Sequence, residues 1–117
     1  MKNRKTIKFG SNEFEFFFGL SFLGEFLEEQ KISLNDIDIK LNTNPFKFLP
    51  TLMYESYKHN LQRNGKSVKL KYYDFVDVLE ENGGFNSKQI QEFMQAFTKS
   101  LTSGVEQEDN NDNSKKK

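Results

Sequence analysis

Phenylalanine is the residue that most constrains what this chain can fold into. Thirteen of the 117 residues are Phe, whereas all apolar residues together make up only 35%. Because aliphatic side chains are too few to fill an interior, the core must consist largely of aromatic rings, which bury much apolar area at low cost in side-chain entropy. The chain length corresponds to one domain of ordinary size. We therefore expect one small domain with an aromatic core.

The first apolar residues follow a two-residue period, which is typical of a β-strand with one buried face. They alternate with other residues on both sides of the segment Gly10-Ser11-Asn12: Ile7, Phe9, Phe14, Phe16 and Phe18. This pattern predicts a β-hairpin over residues 6–18. Phe17 falls on the opposite, nominally solvent-facing side. Since an isolated hairpin is unstable, helices must cover its apolar face.

Beyond the hairpin the apolar period changes to three or four residues, which predicts amphipathic helices. Asn44-Pro45 supplies a cap and a first residue for the longest helix, and Pro50 predicts a kink or restart within it. Gly24 is unfavourable in a helix, so we expect another backbone to approach it closely. The predicted helices cover residues 20–29, a segment starting at 33, then 45–63, 72–82 and 87–103. The predicted fold is mainly α, with an N-terminal β-hairpin followed by a bundle of four or five helices.

The end of the sequence is polar and is predicted to lie outside the domain. Val105 is the one apolar residue in the segment 105–117. Such a composition cannot offset the entropy lost on ordering, which predicts a disordered polar C-terminal tail at 105–117. Gly104 is expected to stop the last helix. The predicted mainly helical domain is therefore residues 1–104.

Composition argues against several classes of function. Seventeen basic and seventeen acidic residues cancel, which disfavours a nucleic-acid scaffold with a basic face. There is no Cys and only one His, His59, so metal binding would depend on carboxylates, and none is predicted. We interpret His59 as a partly solvated residue on a helix surface. No phosphate-binding loop or nucleophile signature occurs, so we expect a non-enzymatic protein without a cofactor.

The sequence also bears on location. No run of about 20 apolar residues could span a membrane. The basic N-terminus lacks the apolar segment of a secretory signal. Together with the lack of Cys, these features favour the cytoplasm.

The remaining class of function is interaction with another protein. The apolar residues of the predicted helices, together with Phe17 of the hairpin, exceed what each element needs for a small core. Exposed aromatic residues in quantity usually mark a partner site. The residues predicted to bind a partner are Phe17, Phe22, Phe26, Phe48, Met53 and Tyr54.

An alternative function is that of a small nucleic-acid-binding regulatory protein. Four basic residues cluster next to Tyr72 and Tyr73, a combination that can hold phosphates and stack bases. The basic residues are Arg63, Lys66, Lys69 and Lys71. A solvated loop explains the same cluster more simply, because short basic loops are common.

Four segments occur in an order that resembles a known family. The hairpin leads into Phe16-Phe17-Phe18-Gly19-Leu20-Ser21-Phe22-Leu23-Gly24-Glu25-Phe26-Leu27, and residues 44–56 follow as Asn-Pro-Phe-Lys-Phe-Leu-Pro-Thr-Leu-Met-Tyr-Glu-Ser. Tyr73-Asp74-Phe75-Val76-Asp77 then precedes Gly83-Gly84, and residues 93–101 close the domain as Phe-Met-Gln-Ala-Phe-Thr-Lys-Ser-Leu. In this layout the chain resembles the tail assembly chaperones of long non-contractile-tailed bacteriophages (siphophages), which are small, mainly helical proteins.

The resemblance implies that the chain binds the tape measure protein, a long helical and aggregation-prone chain, and keeps it soluble during tail morphogenesis. It further implies action in the host cytoplasm and absence from the mature virion, whereas a structural subunit would remain in purified particles. Many members also have a longer form, made by ribosomal frameshifting, that would contact the tail tube protein. The terminal Lys115-Lys116-Lys117 is compatible with such a frameshift or, more simply, with a solubilising tail. Self-association into a homo-oligomer is left open.

Overall fold

The computed structural model describes residues 3–106, with side chains described through Leu101. Its elements are β1 (Arg4–Phe9), β2 (Asn12–Phe17), α1 (Leu20–Gln30), α2 (Asp36–Thr43), α3 (Pro45–Arg63), α4 (Tyr72–Glu81), a 3-10 turn (Gly84–Asn86) and α5 (Lys88–Glu106). The predicted fold class, a mainly α chain with an N-terminal antiparallel hairpin and five helices, is confirmed. The predicted tail lies outside the described residues from position 107 onward.

The hairpin forms where the two-residue period predicted it. Gly10 takes a positive φ of 65° in the connection between the strands, a conformation that glycine adopts without steric cost. Ile7 pairs with Phe14, and Lys5 pairs with Phe16, so the apolar residues share one face of the antiparallel ladder. This face is covered by helices, as an isolated hairpin requires.

Two long helices flank the hairpin and close the core. α3 packs against β2, and α5 packs against β1. Phe16 is completely buried, and its ring centroid lies 5.0 Å from that of Phe93 on α5. Phe14 lies 5.2 Å from Phe75 of α4. Edge-to-face and tilted contacts of this kind are favourable between aromatic rings, so the predicted aromatic core is confirmed.

Local signals placed most helix ends correctly. α3 begins at Pro45, and it ends at Arg63 before Asn64 and Gly65, which has a φ of 73°. The backbone N–H and the Oγ of Ser33 both donate to Asp36 Oδ2, at 2.9 and 3.1 Å. These bonds hold the turn that leads into α2, which therefore starts at Asp36 rather than at Ser33.

Local expectations failed at three positions. α3 is one helix from end to end, so Pro50 does not restart it. The carbonyl that loses its partner belongs to Phe46, in the exposed first turn, where the loss costs less than in a buried turn. No atom lies within 4 Å of the position that a Cβ of Gly24 would occupy, so no backbone approaches there. α5 continues through Gly104 to Glu106, which moves the helix end past the predicted domain boundary.

Candidate functional site

The six residues predicted to bind a partner are all buried. Their exposed fractions lie between 0% and 9%: Phe17, Phe22, Phe26, Phe48, Met53 and Tyr54. Their predicted exposure is therefore wrong, because the core of this small domain uses the rings that seemed to be in excess. The six residues therefore do not form an exposed partner surface together.

Phe17 shows why the prediction failed. Although it lies on the face of the hairpin opposite the main core, two arginines lie over its ring, with Arg4 Cζ 5.3 Å and Arg63 Cζ 4.3 Å from the centroid. His59 stacks against the same ring at 5.5 Å. Cation–π contacts and the apolar stems of long basic side chains can cover an aromatic ring as effectively as an apolar neighbour.

One opening of the described surface is a cleft of about 540 Å³ that three helices and the start of a fourth enclose. The end of α1 and the segment after it form one wall, α2 forms a second, and the first half of α3 forms the floor with Tyr72 of α4. Its lining residues are Gln30, Ile32, Lys40, Thr43, Asn44, Lys47, Phe48, Thr51, Tyr54, Glu55 and Tyr72. We call this opening the aromatic cleft. It contains two of the six predicted residues, Phe48 and Tyr54.

Hydrogen bonds and ring contacts hold the aromatic floor of the cleft, and its rings carry no charge. The hydroxyl of Tyr54 donates to the carbonyl of Leu70 at 2.6 Å, and its ring packs edge-on against Tyr72 with centroids 5.5 Å apart. Thr51 Oγ1 lies 3.5 Å from the Tyr72 hydroxyl. Burial raises the pKa of Tyr54 above its ordinary value, so the phenol stays neutral at physiological pH. An occupant would meet apolar ring surface rather than a charge here.

The rim of the aromatic cleft is basic. Lys40 on α2 and Lys47 on α3 are exposed, and neither forms an ion pair with a described side chain. Lys47 Nζ lies 5.2 Å from the centroid of the Tyr72 ring. The acidic residue of the lining, Glu55, is paired with Lys58 at 3.4 Å. The two ammonium groups therefore make the rim basic, although Asp36 partly balances the charge of Lys40.

Other apolar side chains remain exposed outside the aromatic cleft. Phe46 in the first turn of α3 is 75% exposed, and its ring stacks on that of Phe85 at 4.8 Å and 10°. Tyr73 is 77% exposed and lies beside Tyr72. Leu20, the first residue of α1, is 87% exposed. These residues add exposed apolar surface to that of the aromatic cleft.

The single histidine is buried, which corrects its interpretation as a partly solvated surface residue. His59 Nε2 lies 2.9 Å from Ser21 Oγ, and His59 Nδ1 lies 3.5 Å from Glu25 Oε1. This order of groups is that of a serine nucleophile, a base and an acid. However, Arg63 also donates to Ser21 Oγ at 3.1 Å, and Ser21 lines neither the aromatic cleft nor the small cavity next to His59. These contacts join α1 to α3.

The sequence could not reveal the partners of His59 or the aromatic cleft, because each is formed by residues that are far apart in the chain. The partners of His59 lie on α1, and the aromatic cleft combines residues from four separate segments of the chain. The signal that did exist was a stripe on α3 at helical spacing, Lys47, Thr51 and Tyr54, which is neither fully apolar nor fully charged. Such a mixed stripe is typical of a helix face that is partly open.

Neither a group of metal ligands nor a membrane-spanning helix occurs in the described part of the chain. Between residues 3 and 106, no group of three or more His, Asp or Glu side chains is placed to hold a metal ion. In the same range, every helix is too short or too polar to cross a lipid bilayer.

Comparison with known proteins gave no relative. No protein-family model matches the chain, and neither the curated proteins nor the solved structures contain a significant match.

Proposed function

We propose that this chain is a non-catalytic protein-binding module, and that it acts as a tail assembly chaperone that keeps a phage tape measure protein soluble. The observation that carries the proposal is the aromatic cleft, an open apolar floor between helices on a domain whose other large rings are mostly buried. The layout of the sequence, which resembles that of siphophage chaperones, supports the choice of client.

The dimensions of the aromatic cleft suit a helical client. Its volume of about 540 Å³ lies within the roughly 300–1,000 Å³ of typical binding pockets. That space accepts several large side chains from one face of an amphipathic helix, which is a recurrent mode of peptide recognition. Phe48 and Tyr54 would contact these side chains without leaving the core, so no unfolding is required.

Co-expression tests the proposal. The chain is produced together with the long helical tape measure protein of the same phage, and the soluble fraction of the latter is measured. We expect more soluble tape measure protein with the chain than without it. No gain in solubility would show that the proposal is wrong.

A pair of variants locates the activity. Thr51→Trp fills the aromatic cleft, whereas Gln95→Trp adds the same side chain to the exposed face of α5. We expect the first variant to lose the solubilising effect and the second to keep it. Circular dichroism verifies that both variants are folded. Equal activity of the two would exclude the aromatic cleft as the client site.

One observation favours the second candidate, a small nucleic-acid-binding regulatory protein. The basic loop that carries Lys66, Lys69 and Lys71 leads directly into Tyr72 and the exposed Tyr73. A mobility shift with generic DNA and RNA is the test, and it should be strongest at low salt, where phosphate contacts are least screened. No shift at low salt would exclude this candidate.

A further inference from the structure

We infer that the aromatic cleft selects acidic amphipathic helices, in which Asp and Glu flank an apolar stripe. The inference rests on the proposed function for the kind of partner, and it adds the charge class of the segment that is bound.

Two lysines of the lining, Lys40 on α2 and Lys47 on α3, form no close ion pair with a described side chain, although Lys40 interacts electrostatically with Asp36, one helical turn earlier. Glu55 is already paired with Lys58 at 3.4 Å. An occupant that brings carboxylates to the rim would thus be attracted to both lysines, most strongly to Lys47, whereas one that brings ammonium groups would be repelled by them.

The loop beside the aromatic cleft is also basic. Tyr54 donates to the carbonyl of Leu70 at 2.6 Å, so the loop before α4 lies directly beside the floor. That loop carries Lys66, Lys69 and Lys71 and no acidic residue. Its charges have the same sign as those of the rim. The basic field therefore extends beyond the two lysines of the lining, and it would attract an acidic segment over a distance of about 10 Å at moderate salt.

The aromatic cleft also offers apolar surface that matches the apolar stripe of such a helix. Ile32 lines the aromatic cleft together with the rings of Phe48 and Tyr72. Ile39 lies one helical turn before Thr43 of the lining, and 59% of its surface is exposed. Aliphatic and aromatic surface in one opening is the complement of the apolar face of a helix.

The same features favour a helix over a nucleic acid. Lys47 lies over the ring of Tyr72, and Tyr54 is only 9% exposed, so little ring surface is left for a base to stack on. Base stacking is the main source of affinity for single strands beyond the phosphate contacts. The exposed Ile39 would add nothing to such stacking.

The experiment uses two synthetic amphipathic peptides of about 18 residues, or roughly five helical turns. Both carry the same apolar stripe, but one is flanked by Glu and the other by Lys. Their dissociation constants for the full chain are measured by fluorescence anisotropy at low and high salt. We expect the acidic peptide to bind about tenfold more tightly at low salt, since each of two exposed ion pairs contributes a modest amount. The preference should shrink at high salt.

Matched variants test the role of the two lysines. Lys40→Gln with Lys47→Gln should reduce the preference to about one- to twofold, since the rim pairs are lost. Lys8→Gln with Lys88→Gln removes the same charge from exposed positions that do not line the aromatic cleft, and it should leave the preference unchanged. If the preference survives the first pair of substitutions, or falls equally with the second, the inference is overturned.

The outcomes separate this inference from the proposed function. Equal binding of both peptides, with the tape measure protein still kept soluble, would overturn the inference alone. Preference for the acidic peptide without any solubilising effect would support the inference and overturn the proposed function. Binding of a single-stranded oligonucleotide that depends on Lys40 and Lys47, with no binding of either peptide, would overturn the inference in favour of a nucleic-acid partner.

Discussion

The hairpin side of the molecule and the side that bears the aromatic cleft contain the same kinds of residue. They differ in how far their polar and apolar groups are buried and paired. On the hairpin side, several polar groups are buried and paired: Ser56 Oγ donates to the carbonyl of Phe17 at 2.8 Å, and Asn60 bridges Arg4 and Glu15. On the cleft side, Lys40 and Lys47 form no close ion pair with a described side chain, and Phe46, in the first turn of α3, is mostly exposed. The first side is closed by its own polar contacts. The second has capacity to bind another molecule.

The largest effect should separate two phenylalanines. Phe16→Ala on the hairpin side removes a completely buried ring, and it should lower the free energy of unfolding by about 3–5 kcal/mol. Phe46→Ala on the cleft side removes an exposed ring and should change it by no more than about 0.5 kcal/mol. Urea denaturation measures both. Similar losses of unfolding free energy for the two variants would show that the two sides do not differ in packing.

A smaller effect should distinguish two hydroxyl groups on α3. Ser56→Ala leaves the buried carbonyl of Phe17 without its donor and should cost about 1–3 kcal/mol of unfolding free energy. Thr51→Ala removes only a long contact of 3.5 Å to the Tyr72 hydroxyl, and it should cost less than about 0.5 kcal/mol. Thermal or chemical denaturation of the two variants provides the comparison. A greater loss at Thr51 would contradict the assignment of the open side.

The smallest effect should come from Tyr54, at the border of the two sides. Tyr54→Phe removes the bond to Leu70 and should cost about 0.5–1.5 kcal/mol at neutral pH. Amide exchange in the loop before α4 should also become faster, because the loop loses this attachment. Tyr57→Phe is the control, since it keeps the bond to Leu70. No change in loop exchange would show that the bond does not hold the loop.

The same variant has a signature at alkaline pH. Burial raises the pKa of Tyr54 above its ordinary value of 10.0, so folding favours the neutral phenol. That contribution to stability is complete below the pKa of the unfolded chain and is lost as the pH rises through the folded value. Tyr54→Phe should therefore lose less stability above pH 10.0 than the wild type does. Burial also raises the pKa of Tyr57, so part of the decline should remain.

The elements of the fold could be predicted because their signals are local. The two-residue period, the turn at Gly10, and the Asn44-Pro45 start of α3 are each contained within a few residues. The exceptions also have local explanations. Pro50 is tolerated because it follows the exposed first turn of α3, and Gly104 does not end α5 because glycine lowers helix stability without forbidding a helix.

The site could not be predicted in the same way, because burial depends on residues that are distant in sequence. Phe17 was expected to be accessible, yet Arg63 and His59 from α3 cover its ring. Nothing in the sequence near Phe17 indicates these partners. The apolar character of the six residues was real, but the sequence does not say whether a ring is covered by its own chain or by another. Phe48 and Tyr54 line the aromatic cleft but are only 7% and 9% exposed.

The position of α5 against β1 has a consequence for how the chain folds during synthesis. Lys5 pairs with Glu92, and Ser100 donates to the carbonyl of Phe18, so the first strands are covered by the last helix. Contacts that are so far apart in sequence slow folding, because a long loop must close before they form. On the ribosome, the part of the hairpin that α5 covers, including the side of Phe16 that packs on Phe93, stays open to water until α5 has left the exit tunnel. A chain stalled before that point would be the species at greatest risk of aggregation.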